Sequence, residues 1–197
     1  LIVQKSKPMV VFHLASLFTQ QHRSDDVEPL IRSNILFGTQ LVDAMTANGC
    51  HILVNAGTSW QHFENAEYNP VNLYAATKQA FEAILKFYLE TTPLRAITLK
   101  LFDTFGPLDT RPKLFNLLRN AADFQKTLAM SPGEQLLDLV YIDDVIEAFF
   151  IASQILMSGV TDRHANYAVT SGNYVMLKDV VKQYEEAKVV EEIPFQP

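Results

Sequence analysis

An apolar run ending in small and hydroxylated residues, Ile52–Ser59 (ILVNAGTS), is followed by a polar loop and then by Tyr74–Lys78 (YAATK). A short apolar run bounded by a glycine is typical of a buried strand. Asn69-Pro70 interrupts the loop, and a helix-type pattern begins near Leu73. The sequence therefore predicts a strand, an irregular loop and a helix, with hydroxyl groups at the end of the strand.

The residue types in this unit suit proton transfer. Tyr74 and Lys78 would lie one turn apart on one face of the predicted helix. Tyrosine is a weak acid with a pKa of about 10, and a nearby ammonium favours its phenolate. A hydroxyl across the cleft can hold a substrate oxygen, so the arrangement indicates proton movement on or off a carbinol oxygen.

The same Tyr-x-x-x-Lys spacing also occurs at Tyr174/Lys178 and Tyr184/Lys188. Such pairs are commonly plain contacts on a helix surface. Only the first pair follows a buried-type strand that ends in Gly-Thr-Ser and lies among small residues. We interpret the two later pairs as structural, in C-terminal helices rich in Lys and Glu.

Apolar runs and helix-type periodicities alternate along the chain. Buried strands joined by helices pair in parallel, so the pattern predicts an α/β fold with a doubly wound, Rossmann-like sheet. After Gly106-Pro107 the pattern changes and indicates a small mixed α/β domain. The predicted strands are 9–14, 51–56, 95–102, 136–142 and 166–169, and the predicted helices are 29–47, 73–90, 113–124 and 143–157.

Five stretches occur in an order typical of one enzyme family: 10–16 (VVFHLAS), 34–41 (NILFGTQL), 57–59 (GTS), 101–107 (LFDTFGP) and 138–145 (DLVYIDDV). With Tyr74 and Lys78 they resemble the extended short-chain dehydrogenase/reductase family, which comprises sugar-nucleotide epimerases, dehydratases and ketoreductases. The resemblance covers about residues 8–155.

The resemblance implies roles for the residues around the pair. Tyr74 would be the proton donor or acceptor at the sugar oxygen. Lys78 would lower the pKa of Tyr74 and hydrogen-bond the nicotinamide ribose. Thr58 would be the catalytic hydroxyl, with Ser59 as the alternative, and either could instead be a strand-end cap.

The resemblance also implies that NAD or NADP is the cofactor. Leu14, Ala15 and Ser16 match the turn that lines it. Asn34 matches a residue in the helix beside it, either as a site residue or as a packing polar group. His13, in the preceding strand, is interpreted as a core histidine with its hydrogen bonds satisfied.

The family's Gly-x-x-Gly-x-x-Gly turn, which binds a pyrophosphate at a helix N-terminus, is not in this sequence. We therefore expect an N-terminally incomplete Rossmann domain, preceded in the whole protein by about 60 further residues. The predicted division is a partial NAD(P)-binding domain at 1–106 and a mainly substrate-binding domain at 107–197, with interleaved segments. The end, 189–197, fits its surroundings poorly and could follow a gap.

The residues after Thr58 bear on the reaction. Family dehydratases have an Asp-Glu pair there, since water elimination needs an acid and a base. Here the positions hold Ser59 and Trp60, which argues against a dehydratase and makes both candidate substrate contacts. The stretch Thr58–His62 (TSWQH) most resembles bacterial reductases of CDP-linked dideoxyhexoses.

We therefore expect an NAD(P)-dependent nucleotide-sugar 4-keto reductase of polysaccharide biosynthesis. A 4-epimerase is the alternative, and a non-catalytic dinucleotide sensor is a second alternative. Arg111 and Arg119 are candidates for the substrate phosphates, because guanidinium suits phosphate oxygens. The resemblance also implies a homodimer formed by the helices near 29–47 and 73–90.

The composition limits the partners. The net charge is −6 without a basic run, so we expect no nucleic-acid partner. No apolar run approaches the roughly 20 residues that span a bilayer, so we expect no membrane partner and a cytoplasmic location. No His, Cys and Asp spacing indicates a metal site. Cys50, the single cysteine, is predicted to be a buried, inert thiol.

Overall fold

The computed structural model describes residues 2–159 and 162–191, with side chains up to residue 187. Within these residues the chain separates into two compact units. Of the described residues, the main unit contains 2–102, 144–159 and 162–169, and the second unit contains 103–143 and 170–191. The strands are β1 Val11–His13, β2 Ile52–Thr58, β3 Arg95–Leu101, β4 Asp103–Phe105, β5 Leu136–Tyr141, β6 His164–Val169 and β7 Tyr174–Met176. The helices are α1 Ile2–Ser6, α2 Val27–Ile31, α3 Phe37–Ala47, α4 Leu73–Thr91, α5 Leu114–Asp123, α6 Ile142–Ser158 and α7 Leu177–Glu191.

The main unit contains a parallel sheet in the order β1-β2-β3-β6. His13 lies opposite Asn55, and Asn55 lies opposite Thr98, so the strand centres are in register. β2 and β3 are buried along almost their whole length. The apolar runs in the sequence therefore form central strands covered by helices, and the predicted parallel α/β fold is confirmed.

Helices α3 and α4 pack together over one face of this sheet. Their core includes Val42, Met45, Phe81 and Leu85, which are almost completely buried. Burying each such side chain contributes about 1.5–3 kcal/mol relative to leaving it in water. Cys50 belongs to the same core, as predicted, and burial raises the pKa of its thiol.

In the second unit, β4 and β5 are parallel and β5 and β7 are antiparallel. Asp138 in β5 is 2% exposed, and its carboxylate accepts hydrogen bonds from the backbone N–H and the hydroxyl of Ser171 (2.8 and 2.7 Å) and from the hydroxyl of Thr170. The carboxylate therefore ties the loop before β7 to the middle of the small sheet.

Three sequence-based assignments need correction. The helix predicted at 143–157 and the strand at 166–169 were assigned to the small domain, but β6 pairs with β3, and α6 from residue 144 onwards belongs to the main unit. Tyr174 and Lys178 do not share a helix, because Tyr174 is in β7 and Lys178 is in α7. The side chain of Lys188 and residues 192–197 lie outside the described residues.

No helix in the described part of the chain is both long enough and apolar enough to cross a bilayer.

Candidate active site

The candidate site lies at the carboxyl ends of β1 and β2, where ligands of open parallel α/β sheets commonly bind. Thr58 is the last residue of β2 and is buried. Its hydroxyl accepts a hydrogen bond from the Trp60 N–H at 3.3 Å, and its own N–H donates to Oε1 of Gln61 at 3.1 Å. The chain therefore turns sharply after Thr58 and fixes that residue from both sides.

Lys78 connects helix α4 to the end of β2. Its side chain is buried, and Nζ donates a hydrogen bond to the Ala56 carbonyl at 2.9 Å. The same Nζ lies 6.0 Å from the centroid of the Tyr74 ring. Burial lowers the pKa of Lys78 to about 8, while Glu82 raises it and Lys100 lowers it. The ammonium therefore lies between the strand end and the tyrosine.

Asn72 begins the helix that carries Tyr74 and Lys78. Its Oδ1 accepts a hydrogen bond from the Ala75 N–H at 2.9 Å, which satisfies a free donor in the first turn. Its Nδ2 donates to the carbonyls of Thr19 (3.4 Å) and Gln20 (3.1 Å). The cap of α4 is thus also an anchor for the loop that follows β1.

Aromatic side chains surround Tyr74. The ring of Phe18 meets the Tyr74 ring edge-on, with centroids 5.0 Å apart, and lies 5.6 Å from the Trp60 ring. Trp60 and Tyr74 are half-buried, whereas Phe18 is 44% exposed. The structure therefore links the candidate substrate residue Trp60 to Tyr74 through Phe18, which sequence reasoning missed.

Asn34 supports the loop after β1. It is buried in a π-helical turn, Arg32–Leu36, between α2 and α3. Its Oδ1 accepts from the Leu17 N–H (2.8 Å) and the Ser16 hydroxyl (3.2 Å). Its Nδ2 donates to the Leu17 carbonyl (3.0 Å) and the Thr77 hydroxyl (2.9 Å). These contacts favour the packing role over direct cofactor contact.

The other predicted cofactor residues differ in exposure. Leu14 is 59% exposed, Ala15 is exposed and Ser16 is half-buried. All three follow β1 at the same end of the sheet as Thr58. Ser59, the alternative hydroxyl, is half-buried at the start of a short 3-10 turn.

A row of polar side chains crosses the centre of the sheet. His13 Nδ1 lies 3.0 Å from Asn55 Oδ1, and Asn55 Nδ2 donates to the Thr98 hydroxyl at 3.2 Å. The amide oxygen of Asn55 is an acceptor, so Nδ1 carries the imidazole proton. Nε2 of His13 has no hydrogen-bond partner within the described residues, which corrects the expectation of a fully satisfied histidine. Burial and the Lys78 ammonium lower the pKa of His13 to about 4.

A buried ion pair lies behind the candidate site. Lys100 Nζ in β3 donates to both carboxylate oxygens of Glu82 in α4 at 2.7 Å. Gln61, which is completely buried, donates to Glu82 Oε1 at 3.0 Å. Sequence reasoning missed Glu82 and Lys100, and it did not foresee their contact with Gln61. A lysine inside the apolar strand Arg95–Leu101 was the available signal, because a buried charge requires a partner.

With this geometry established, comparison with known proteins places the chain in a family. A model of the NAD dependent epimerase/dehydratase family matches residues 1–168. The chain belongs to this family. The resemblance seen in the sequence is therefore confirmed.

The chain is similar to several named proteins and to several solved structures. A CDP-abequose synthase of Yersinia pseudotuberculosis is 28% identical over 142 residues, which are 72% of this chain and 50% of that protein. A protein named Probable UDP-glucuronate 4-epimerase, from Rhizobium meliloti strain 1021, is 24% identical over 207 residues, covering 92% of this chain and 60% of that protein. The structure of MoeE5 with UDP-glucuronic acid and NAD has a TM-score of 0.81 at 25% identity, covering 93% of this chain and 63% of MoeE5.

The chain thus spans about half the length of the curated CDP-abequose synthase that it matches, 50% by residue count. The match to the family nevertheless extends through the whole main unit except its last residue, Val169.

The second unit of this epimerase/dehydratase chain contains the predicted phosphate ligands. Arg111 is exposed, and its guanidinium is occupied by Asp109, with Nε and NH2 each 2.7 Å from a carboxylate oxygen. These hydrogen bonds lower the pKa of Asp109 to about 2. An external phosphate would have to compete with this carboxylate, so the geometry lends Arg111 no support as a phosphate ligand.

A cavity of about 170 Å³ lies beside that loop in the second unit. Burial lowers the pKa of Lys113, and burial raises the pKa of Asp103, which lies near Lys113. The residues that line the cavity include Asp103, Phe105, Lys113, Phe115, Arg119 and Tyr184. Of these, sequence reasoning identified only Arg119 as a candidate ligand.

Among residues 2–159 and 162–191, no three His, Cys, Asp or Glu side chains gather as ligands for a metal ion.

Proposed function

We propose that this chain carries the catalytic residues of an NAD(P)-dependent oxidoreductase that acts on a nucleotide-linked sugar. The favoured reaction is reduction of a 4-keto group. The observation that carries the proposal is the placement of Lys78, whose buried ammonium contacts the end of β2 and lies over the Tyr74 ring. A buried cation beside a phenol promotes proton transfer, because it favours the phenolate.

The protein side of the reaction follows from these residues. The Tyr74 hydroxyl gives its proton to the oxygen of the 4-keto group as that oxygen becomes an alcohol. The Thr58 hydroxyl holds the same oxygen by a hydrogen bond and so orients the carbonyl. Lys78, with a pKa of about 8, is mainly protonated at pH 7 and stabilises the phenolate that Tyr74 leaves behind.

The residues at the carboxyl end of β1 fit the nicotinamide end of NAD or NADP. Leu14 and Ala15 are exposed, and their small or flexible side chains leave the backbone accessible. An ammonium has three donors, of which Lys78 uses one on Ala56, so Lys78 can also bind ribose hydroxyls. The nicotinamide, when bound, supplies the hydride that the reduction needs. Asn34 would hold Ser16 and Leu17 in place beneath the cofactor.

Phe18 and Trp60 form an aromatic wall beside Tyr74, and we assign them to the apolar face of the sugar ring. Aromatic rings pack well on such faces, while Ser59 at the rim supplies a hydroxyl for a sugar substituent. In the second unit, Lys113 and Arg119 line the 170 Å³ cavity and are the remaining candidates for substrate phosphates.

The alternatives are a 4-epimerase and a non-catalytic sensor. The observation that favours the reductase over both is the similarity of a CDP-abequose synthase over 72% of this chain. Ser59 and Trp60 occupy the positions where a dehydratase has its acid pair, so they argue only against a dehydratase. The similarity to a protein named as a 4-epimerase keeps epimerisation as the second candidate.

The catalytic assignment is tested by Tyr74→Phe in the full-length protein. We expect kcat to fall by about 10²–10⁴-fold, because the proton donor is lost, with cofactor affinity nearly unchanged. The matched control is Tyr88→Phe. Tyr88 lies on the same helix, but its hydroxyl donates a hydrogen bond to Asp43, so this variant should keep wild-type turnover. Wild-type turnover in Tyr74→Phe would contradict the assignment.

The reaction type is tested by denaturing the purified protein and identifying released dinucleotide by mass spectrometry. Tightly held NAD⁺ would indicate an epimerase that recycles its own hydride. Rapid exchange of added NADPH, with its oxidation by a CDP-linked 4-keto sugar, would indicate the reductase. Binding of neither form would indicate that the proposal is wrong.

The helices near 29–47 and 73–90 are proposed to pair with their copies in a homodimer. Apolar side chains on these helices are exposed, including Phe37 at 46% and Phe87 at 61%. Burying them against a second copy would remove apolar area from water. Sedimentation at micromolar concentration should give a dimer, and Phe87→Glu should weaken it.

A further inference from the structure

The ion pair between Glu82 and Lys100 is unusual in its degree of burial. Both side chains are 8% exposed, and both carboxylate oxygens of Glu82 accept hydrogen bonds from Lys100 Nζ at 2.7 Å. Taking two charges out of water costs free energy that their attraction often only balances. The burial of this pair is therefore weak evidence that it stabilises the fold. Its contacts with other residues of the candidate site indicate a second role.

The first contact leads to Thr58. Oε1 of the buried Gln61 accepts a hydrogen bond from the Thr58 N–H at 3.1 Å. Its Nε2 donates hydrogen bonds to Glu82 (3.0 Å) and Gln79 (2.6 Å). The ion pair is thus connected to the backbone of the catalytic hydroxyl residue by one rigid side chain.

Gly57 shows how closely these groups approach β2. A Cβ at this position would lie 2.8 Å from Lys100 Cδ, 2.9 Å from Thr98 Cγ2 and 3.2 Å from Gln61 Oε1. The glycine before Thr58 is therefore needed for the passage of the Lys100 side chain, and the ion pair and the strand end form one packed assembly.

The second contact leads to Lys78. Glu82 follows Lys78 by four residues in α4, so the two lie on the same face of the helix. The charged or titratable groups that face Lys78 are Tyr74 and Glu82 from α4, His13 from β1 and Lys100 from β3. His164 from β6 in turn faces Glu82 and Lys100.

We propose that the Glu82–Lys100 ion pair, joined to Thr58 by Gln61, is a positioning element that sets the charge on Lys78 and fixes the strand end of the candidate site. This inference rests on the proposed function for its catalytic meaning. Glu82 keeps an ammonium at Lys78 in a buried position, and Lys100 limits how strongly it does so. The opposed influences of Glu82 and Lys100 on the Lys78 pKa agree with this arrangement.

The decisive experiment follows the titration of the Lys78 ammonium by NMR in full-length protein labelled with ¹⁵N-lysine, with the signal assigned from Lys78→Met. In Glu82→Gln we expect the Lys78 pKa to fall below about 8, by about one pH unit, because a nearby negative charge is lost. In Lys100→Met we expect it to rise. Loosening of the structure would instead raise it in both variants, since exposure returns a lysine towards its ordinary value.

The control is Glu90→Gln, which neutralises an exposed carboxylate at the far end of α4 and should leave Lys78 unchanged. If Glu82→Gln does not fold, Glu82→Gln/Lys100→Met replaces it, because a neutral pair of similar volume is tolerated better than one unpaired charge. There the Lys78 pKa should still fall below the wild-type value, but by less than one pH unit, because the influence of Glu82 on it exceeds that of Lys100. A rise or no change in any folded variant that lacks the Glu82 charge would overturn the proposal.

Turnover separates this inference from the proposed function. The titration needs no substrate, so it tests the positioning element even if the reaction is another one. If the enzyme is a reductase, Glu82→Gln should lower kcat by about twofold at pH 7 and about fivefold at pH 8, with KM nearly unchanged, because a fall of about one unit in the Lys78 pKa removes that share of the ammonium. A titration shift without a kcat effect would refute the catalytic meaning of the pair.

Discussion

Two ion pairs with the same nitrogen–oxygen distance lie in different surroundings. Lys100 and Glu82 in the main unit approach to 2.7 Å, and so do Arg111 and Asp109 in the second unit. The first pair is 8% exposed on both sides, whereas Arg111 is 53% exposed and Asp109 is 17% exposed. Equal distances therefore hide unequal free energies, because water screens the second pair and not the first.

The difference teaches that burial, rather than contact distance, identifies the charges that matter here. Around Lys78 the charged side chains of Glu82 and Lys100 are buried, and burial lowers the pKa of Lys78 and of Lys100 while Glu82 raises both. Near the surface of the second unit, the Arg111 guanidinium donates hydrogen bonds to both carboxylate oxygens of Asp109. A phosphate ligand would have to compete with that carboxylate. Three measurements can test this contrast.

The largest effect is expected on breaking one pair and not the other. Glu82→Ala leaves the Lys100 ammonium buried without a partner, so the free energy of unfolding should fall by about 3–5 kcal/mol. Asp109→Ala should cost at most about 1 kcal/mol, because Arg111 returns to water. Urea denaturation of both variants measures the difference. Equal losses would contradict the role assigned to burial.

A smaller effect concerns pH. The folded protein holds the pKa of His13 at about 4, below its ordinary value of 6.5, so the unfolded chain binds the extra proton first. The stabilisation from neutral His13, about 3 kcal/mol, is complete above pH 6.5 and is lost as the pH falls towards 4.

Urea denaturation at pH 7 and pH 5 of wild type and His13→Gln checks this prediction. The variant should lose less stability between the two pH values. His22→Gln is the control, since His22 is exposed and should keep the wild-type slope. Identical slopes in all three proteins would show that His13 is not the group responsible.

The smallest effect compares two glycines. Gly57→Ala would force a methyl group against the Lys100 and Gln61 side chains and should cost about 1–3 kcal/mol. Gly49 has a φ of +71° but no neighbouring atom within 4 Å, so Gly49→Ala should cost only about 1 kcal/mol for the left-handed backbone. Thermal unfolding of the two variants shows which substitution costs more stability. A larger loss in Gly49→Ala would mean that the Lys100 and Gln61 side chains shift easily to accommodate a methyl group at position 57.

Much of the main unit could be predicted from the sequence, because periodicity and breakers report local structure. Strand β2 and helix α4 lie within two residues of their predicted bounds. The catalytic roles of Thr58, Tyr74 and Lys78 stay predictions.

The ion pair could not be predicted, because Glu82 and Lys100 are 18 residues apart and meet only through the packing of α4 on β3. The contacts of Gln61 could not be predicted either, since its partners come from a helix and a strand end. The π-helical turn at Arg32–Leu36 was also missed, because it depends on the tertiary contacts of Asn34 and not on a local pattern.

The loop that carries Phe18 is held by two asparagine side chains that lie outside the loop and bind its backbone. Asn34 fixes the backbone at Leu17, and Asn72 fixes it at Thr19 and Gln20, so neither anchor involves the side chain at position 18. The residue beside Tyr74 can therefore be exchanged while the path of the chain is retained. This makes position 18 a modular point for evolution or engineering, where one codon could retune substrate preference without rebuilding the loop.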